Sequence, residues 1–277
     1  MSALGFLALL LAVSAALAAI MAGAWLVWRV TRNSGWIDTT WTFGLGVVGA
    51  GAALIPAFHA GTVTARQILV AALVALWAMR LGLHIASRTA GISDDPRYGK
   101  MVRDWGVDAS RQMFFLVEKQ ALVSIPLALS IVLAAWNPAS GLGAQDYLGA
   151  LVLIVAIAGE GVADAQLRRF RAQPDNRNRV CDVGLWGWSR HPNYFFEWFG
   201  WLAYPLIAID LAGGYAFGFV ALIGPVCMYW LLVHVSGIPP LEAHMLDRRG
   251  EAFRSYQAHT NAFFPAPPRR ITATRPT

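Results

Sequence analysis

The chain has 277 residues, of which 57% are hydrophobic and only 14% charged, and its mean hydropathy is +0.49. A soluble domain carries about 25% charged residues, and one of this size has too little interior to hide so much apolar surface, so the composition points to an integral membrane protein. The net charge of +6 is spread between hydrophobic segments. It therefore suits orientation in a bilayer and an anionic cofactor, and no nucleic-acid partner is expected. Cys181 and Cys227 are too few and too far apart for a zinc motif, and neither a disulfide nor a metal site is expected.

The first apolar stretch, residues 4–28, lacks a basic leader and is far longer than the ~7–15 residues of a signal-peptide core. It is expected to remain as a membrane helix. Further runs near the ~20 residues that a bilayer needs lie at 40–58, 66–86, 113–136, 147–166, 194–211 and 214–235. Pro56, Pro126, Pro205 and Pro225 fall inside them, which membrane helices tolerate. The sixth carries Glu197 in its first turns and is expected to kink at Pro205.

The cations between these runs alternate. Arg29 and Arg32, the 80–111 stretch, the 168–190 stretch and the C-terminal part are arginine-rich, while Arg66 stands almost alone in the intervening loops. By the positive-inside rule the N-terminus faces out and the C-terminus faces the cytoplasm. The expected fold is all-α: a multi-pass transmembrane bundle of about seven helices, one domain over 1–266 with a loose tail at 267–277.

Five polar places need a reason, because charge at membrane depth is costly. Asp38, in "NSGWIDTTW", is either a first-turn acid on the helix dipole or an acid that polarises a substrate. Arg80, His84 and Arg88 are spaced i, i+4, i+8 and share one helical face, as the wall of a wet cavity would. Glu160, Asp164 and Arg168 repeat that spacing, and Gln166, Arg169, Arg171, Asn176 and Asn178 continue the polar end. Arginine forks suit phosphate oxygens, so this mouth is a candidate pyrophosphate site.

The fourth place is "SRHPNYFFEWFGW". Pro192 turns the chain into a helix, with Arg190 and His191 positioned to meet phosphates. Asn193, Tyr194 and Glu197 sit on nearly one face of that helix. The fifth is "SGIPPLEAHMLDRRGEAFRSYQAHTNAFFP", an amphipathic segment that either lies at the interface or folds over the cavity mouth. No GxGxxG, Walker or HExxH pattern is present, so a dinucleotide would be held by some fold other than Rossmann.

"ADAQLRRFR", "GLWGWSRHPNYFFEWFGW", "SGIPPLEAHM" and "FRSYQAHTNAFFP" together resemble the DUF1295 branch of the steroid 5-alpha-reductase-like membrane family. Its wider superfamily includes sterol reductases and isoprenylcysteine carboxyl methyltransferases. The resemblance implies a cytoplasm-facing pocket for NADPH in the C-terminal half. It places Gln166, Arg169, Arg171, Trp186, Arg190, His191, Asn193, Tyr194, Glu197, Asp247 and Tyr256 near the cofactor. Residues 147–266 are then the cofactor side and 1–136 the substrate side.

Two departures stand out. Members often read "HPNYFGE" where this chain has Phe196, whose ring would reshape the pocket beside Tyr194. Ile85 occupies the position of a tyrosine that helps polarise a steroid ketone, so Asp38 or His84, with Arg88 on the same wall, would take that part.

The expected activity is reduction by NADPH of an activated carbon–carbon double bond in a lipophilic substrate. The protein would supply placement and an electrophilic acid. The expected setting is a monomer among the lipids of a bacterial cytoplasmic membrane. The rivals are an S-adenosylmethionine-dependent methyltransferase of a membrane substrate, whose cofactor needs fewer arginines, and a non-enzymatic lipid-binding or transport protein.

Overall fold

A computed structural model describes residues 3–56 and 61–269. Residues 57–60, at the end of the second expected span, and 270–277 of the expected tail lie outside the described residues. The described elements are all helical: α1 (Ala3–Thr31), α2 (Gly35–Ala53), α3 (Ala65–Ala90), α4 (Pro96–Trp105), α5 (Ala109–Ala135), α6 (Ala144–Ala172), α7 (Pro192–Trp201), α8 (Ala203–Ala208), α9 (Ile223–Trp230), α10 (Ile238–Arg249) and α11 (Glu251–His259). Five helical stretches among the described residues are long and apolar enough to cross a membrane: Leu4–Thr31, Ala65–Ala90, Arg97–Ala135, Ala144–Ala172 and Ala216–Arg249. The second and sixth expected spans are not among these. The second is the glycine-rich α2, and the sixth is broken at Leu202 into α7 and α8.

The chain forms two compact units. The first comprises Met1–Leu153 and Trp201–Cys227. In it α1 buries Leu17, Met21, Ala24 and Trp28, an i, i+4, i+7, i+11 stripe, and leaves Leu4, Leu7, Leu11 and Val30 exposed. This one-sided burial is what an amphipathic spacing dictates, here with an apolar outer face suited to acyl chains. Along α5 the buried seam is Met113, Val117, Ala121, Ser124, Ala128, Ile131 and Ala135.

Between α1, α3 and α5 lies α2, and its glycines set how near they come. Gly44 rests on Ile20, Gly46 on the Ala78 side chain, and Gly49 on Ile131 and Val74. Without a hydrophobic driving force between helices in lipid, such close backbone approach lets van der Waals packing contribute to their association. The α1–α2 turn is tied down by Asn33, whose Nδ2 donates to the carbonyls of Thr89 (3.0 Å) and Ile92 (2.8 Å).

The isolated Arg66 is not a surface charge. It is 5% exposed and grips Asp146 through Nε (2.7 Å) and Nη2 (2.9 Å), while its Nη1 donates to the Asn137 carbonyl (2.9 Å).

The second unit comprises Ile154–Gly200 and Met228–Thr277. It holds the polar end of α6, most of α7, the two amphipathic helices α10 and α11 joined at Gly250, and the segment 261–269. Gly250 adopts φ 51°, a left-handed value that lets the chain turn between those helices. A π-helical turn at Leu231–Val235 precedes α10.

Gly46→Leu is expected to lower stability in detergent by about 1–3 kcal/mol through overpacking, read as a fall in Tm. Ala78→Gly in the same chain should recover part of the loss. Gly23→Leu, at a position with nothing within 4 Å, should leave Tm nearly unchanged.

Candidate functional site

The stretch 189–191 is the centre of the second unit. Ser189 is fully buried. Its Oγ donates to the Phe263 carbonyl (2.8 Å) and accepts from the His191 N–H (3.1 Å). The backbone N–H of Arg190 donates to the Asn261 carbonyl (2.8 Å). The loop is thus clamped to the segment that follows α11 before any side-chain chemistry begins.

Its two ionisable side chains converge on Glu242 of α10. Arg190 presents a fork, with Nε to Oε1 at 2.7 Å and Nη2 to Oε2 at 3.2 Å, and its Nη1 donates to the Gln257 and Thr260 carbonyls. His191 Nε2 meets Oε1 at 2.9 Å and Gln257 Nε2 donates to Oε2 at 2.7 Å. One carboxylate therefore receives four donors. Because a carboxylate only accepts, the His191 proton resides on Nε2. Burial lowers the imidazole pKa and outweighs the opposing pull of Glu242, which favours the neutral ring. It lies nearly parallel to Tyr194, at 11° and 5.5 Å between centroids.

Arg190, expected to meet a phosphate, forks onto Glu242 here and holds the α10 and α11 segments to the loop. Several other expected cofactor residues are likewise engaged by the chain. Gln166 accepts from the Leu185 N–H (2.9 Å), and its amide, 2.6 Å from where a Cβ on Gly184 would stand, leaves no room for a side chain there. Trp186 Nε1 donates to the Ala163 carbonyl (2.9 Å), and Tyr256 donates to the Trp186 carbonyl. Asn176 closes the end of α6 by donating to the Phe170 carbonyl (3.0 Å). Asp164 and Glu197 are buried, Asn193 and Tyr194 half-buried, and Asp247 exposed.

The exposed cations are Arg168, Arg169, Arg171, Arg177 and Arg179, in the last turns of α6 and the loop beyond. Arg249 ties that loop to α10 through the Arg177 carbonyl (2.8 Å) and Asn178 Oδ1 (3.2 Å). Phe196, expected to reshape the space beside Tyr194, lays its ring on Gly159 of α6.

In the first unit Asp38 does more than sit in a first turn. Its Oδ2 accepts from Arg97 Nη2 (2.6 Å) and its Oδ1 from the Tyr98 hydroxyl (2.8 Å), which in turn accepts from Gln120 Nε2 (2.9 Å). Arg97 also forks onto Asp95 (2.9 and 3.0 Å), with Arg88 3.6 Å from the same carboxylate. Burial alone would raise Asp95. The hydrogen bonds and charge of Arg97, helped by Arg88, win and hold its carboxyl below the usual range. Asp38 and Arg88 are thus brought into one cluster, while His84 stands half-buried a turn back along α3.

Arg97, Tyr98 and Gln120 were not anticipated. The signal was present in "DDPRY", where an aspartate followed by proline marks a helix start. The structure uses Asp95 as the N-cap of α4 in that way. Among the described residues no group of three or more His, Cys, Asp or Glu side chains is arranged to hold a metal.

The family model described as a protein of unknown function (DUF1295) matches residues 24–260. No curated protein and no solved structure matches the chain.

Arg190→Ala should cost about 3 kcal/mol or more, because it strands a half-buried carboxylate, and chemical unfolding in detergent would register it. A single substitution without effect would remove Arg190 as the staple of this unit.

Proposed function

The chain belongs to the DUF1295 family, and for this member of it we propose an NADPH-dependent membrane oxidoreductase that reduces an activated carbon–carbon double bond in a lipophilic, steroid-like substrate. The observation that carries the reading is the set of five exposed arginines at the polar end of α6 and the loop beyond. Arg168, Arg169 and Arg171 occupy the last turns of a long helix and are exposed there, and guanidinium forks suit phosphate oxygens. The buried His191 adds an uncharged ring nitrogen to the same unit. A phosphate-rich cofactor with an uncharged aromatic end fits that donor and acceptor set.

NADPH, when bound, supplies the hydride. This chain's part is to hold the phosphates with Arg168, Arg169, Arg171, Arg177 and Arg179. It also keeps a polarising hydrogen-bond donor in place in the first unit. For that second task Arg97, which holds Asp38 at 2.6 Å, joins His84 as a candidate donor. The single Tyr98 proton goes to Asp38 at 2.8 Å and serves to fix that carboxylate.

A methyltransferase using S-adenosylmethionine is the second reading. The fork of Arg190 onto Glu242 favours it, because that pairing withdraws one arginine from the phosphate account. Thermal shift in detergent separates the two. NADPH at about a hundred times its Kd should add about 2.7 kcal/mol and raise Tm. Arg169→Glu with Arg171→Glu should weaken it about tenfold or more. Stabilisation by S-adenosylmethionine and not by NADPH would overturn the reductase.

In the bilayer we place the N-terminus outside and the C-terminus in the cytoplasm of a bacterial inner membrane, with seven crossings. The helix α2 and the broken pair α7–α8 make the sixth and seventh, added to the five long helices. The pairing of Arg66 with Asp146 supports this orientation, since it neutralises the one cation that breaks the charge alternation. In a chain with Cys181 and Cys227 replaced by serine, Ser140→Cys should react with an impermeant maleimide from outside intact cells and Asp175→Cys should not. The reverse pattern would invert the topology.

A further inference from the structure

His191 is 3% exposed, yet its Nδ1 has no hydrogen-bond partner in the chain. Nε2 is committed as a donor to Glu242, so in the neutral ring that burial favours, Nδ1 is unprotonated and can only accept. The tautomer cannot be exchanged, because moving the proton would set the Nε2 lone pair against Glu242 Oε1 at 2.9 Å. Arg190 and Gln257 fix that carboxylate from the other side. A buried acceptor without a donor is costly, so this nitrogen asks for an N–H or O–H. A phosphate oxygen would meet it as one acceptor meets another.

We propose that Nδ1 of His191 accepts a hydrogen bond from the uncharged carboxamide N–H of a bound nicotinamide, so that the His191–Glu242 pair selects the ring end of the dinucleotide while the exposed arginines take its phosphates. The identity of the ligand rests on the NADPH reading above; the polarity of the subsite rests on the tautomer. Tyr194, half-exposed and parallel to the imidazole, packs on the ring face and leaves the in-plane direction of Nδ1 to a donor. Sequence reasoning put His191 on a phosphate. The geometry of Glu242 reverses the polarity of that assignment.

The test uses the full chain in detergent and two ligands: NADPH, and its 3-acetylpyridine analogue, whose methyl ketone has no N–H. Calorimetric titration of the wild-type protein should find the analogue about tenfold weaker. In His191→Phe the two ligands should bind with nearly equal Kd. The wild-type comparison needs no variant and stands even where the substitution disturbs folding. Equal binding of both ligands to the wild-type protein would overturn the proposal and leave the cofactor reading intact. Discrimination that persists in a folded His191→Phe protein would also overturn it, since the reader would then lie elsewhere. Binding of neither ligand would remove the cofactor reading and this subsite together.

Discussion

A charge placed beside hydrocarbon has to be neutralised by the chain itself, and three arginines here are neutralised in one way. Arg66 forks onto Asp146, Arg97 onto Asp95 and Arg190 onto Glu242, each using Nε and one terminal nitrogen against the two oxygens of a carboxylate. In each case the rest of the guanidinium goes to carbonyls or a second acid. Side-on pairing of this kind satisfies planar groups in pairs and leaves few donors stranded. These forks hold what apolar packing between helices cannot, namely the loops. Arg66 gathers the 137–141 turn, Arg97 joins α2 to α4, and Arg190 joins the 189–191 loop to α10 and α11.

The sequence made the helical class legible because long apolar runs have few other homes. It located Asp38 and the 189–201 stretch as unusual, since polar groups there lacked a local excuse. What it did not reveal was partnership. Arg190 and Glu242 are 52 residues apart, and no helical spacing links them. The arginine was therefore read by its chemistry alone and assigned to a phosphate. Arg97 and Tyr98 were passed over because a short polar helix between two membrane helices has the composition of a loop. The interruption of the sixth span was legible through Pro205, whose ring and missing N–H act on the carbonyl of Trp201, and the structure places the break at Leu202. The approach of Gly149 to the Ala203 carbonyl and Ile207 is invisible in one dimension.

Much of the second unit's polarity is spent internally. Gln166, Asn176, Trp186, Arg190 and Tyr256 each make a hydrogen bond that shapes the 184–191 turn or the end of α6. This sets a division of labour among residues that the sequence presented as equals. One group builds a wall, the exposed arginines face outward from it, and His191 stays buried within it. Preorganisation of that sort lowers the entropy that a ligand has to overcome on binding.

The contact between Phe196 and Gly159 carries a consequence for related chains. A side chain on residue 159 would collide with the ring, so the space between α6 and α7 is filled once, from the α7 side. A relative with glycine at the position of Phe196 is released from that demand and can fill the same space from α6. The two positions then form a single volume shared between two helices, in which bulk can change sides while the distance between backbones stays the same.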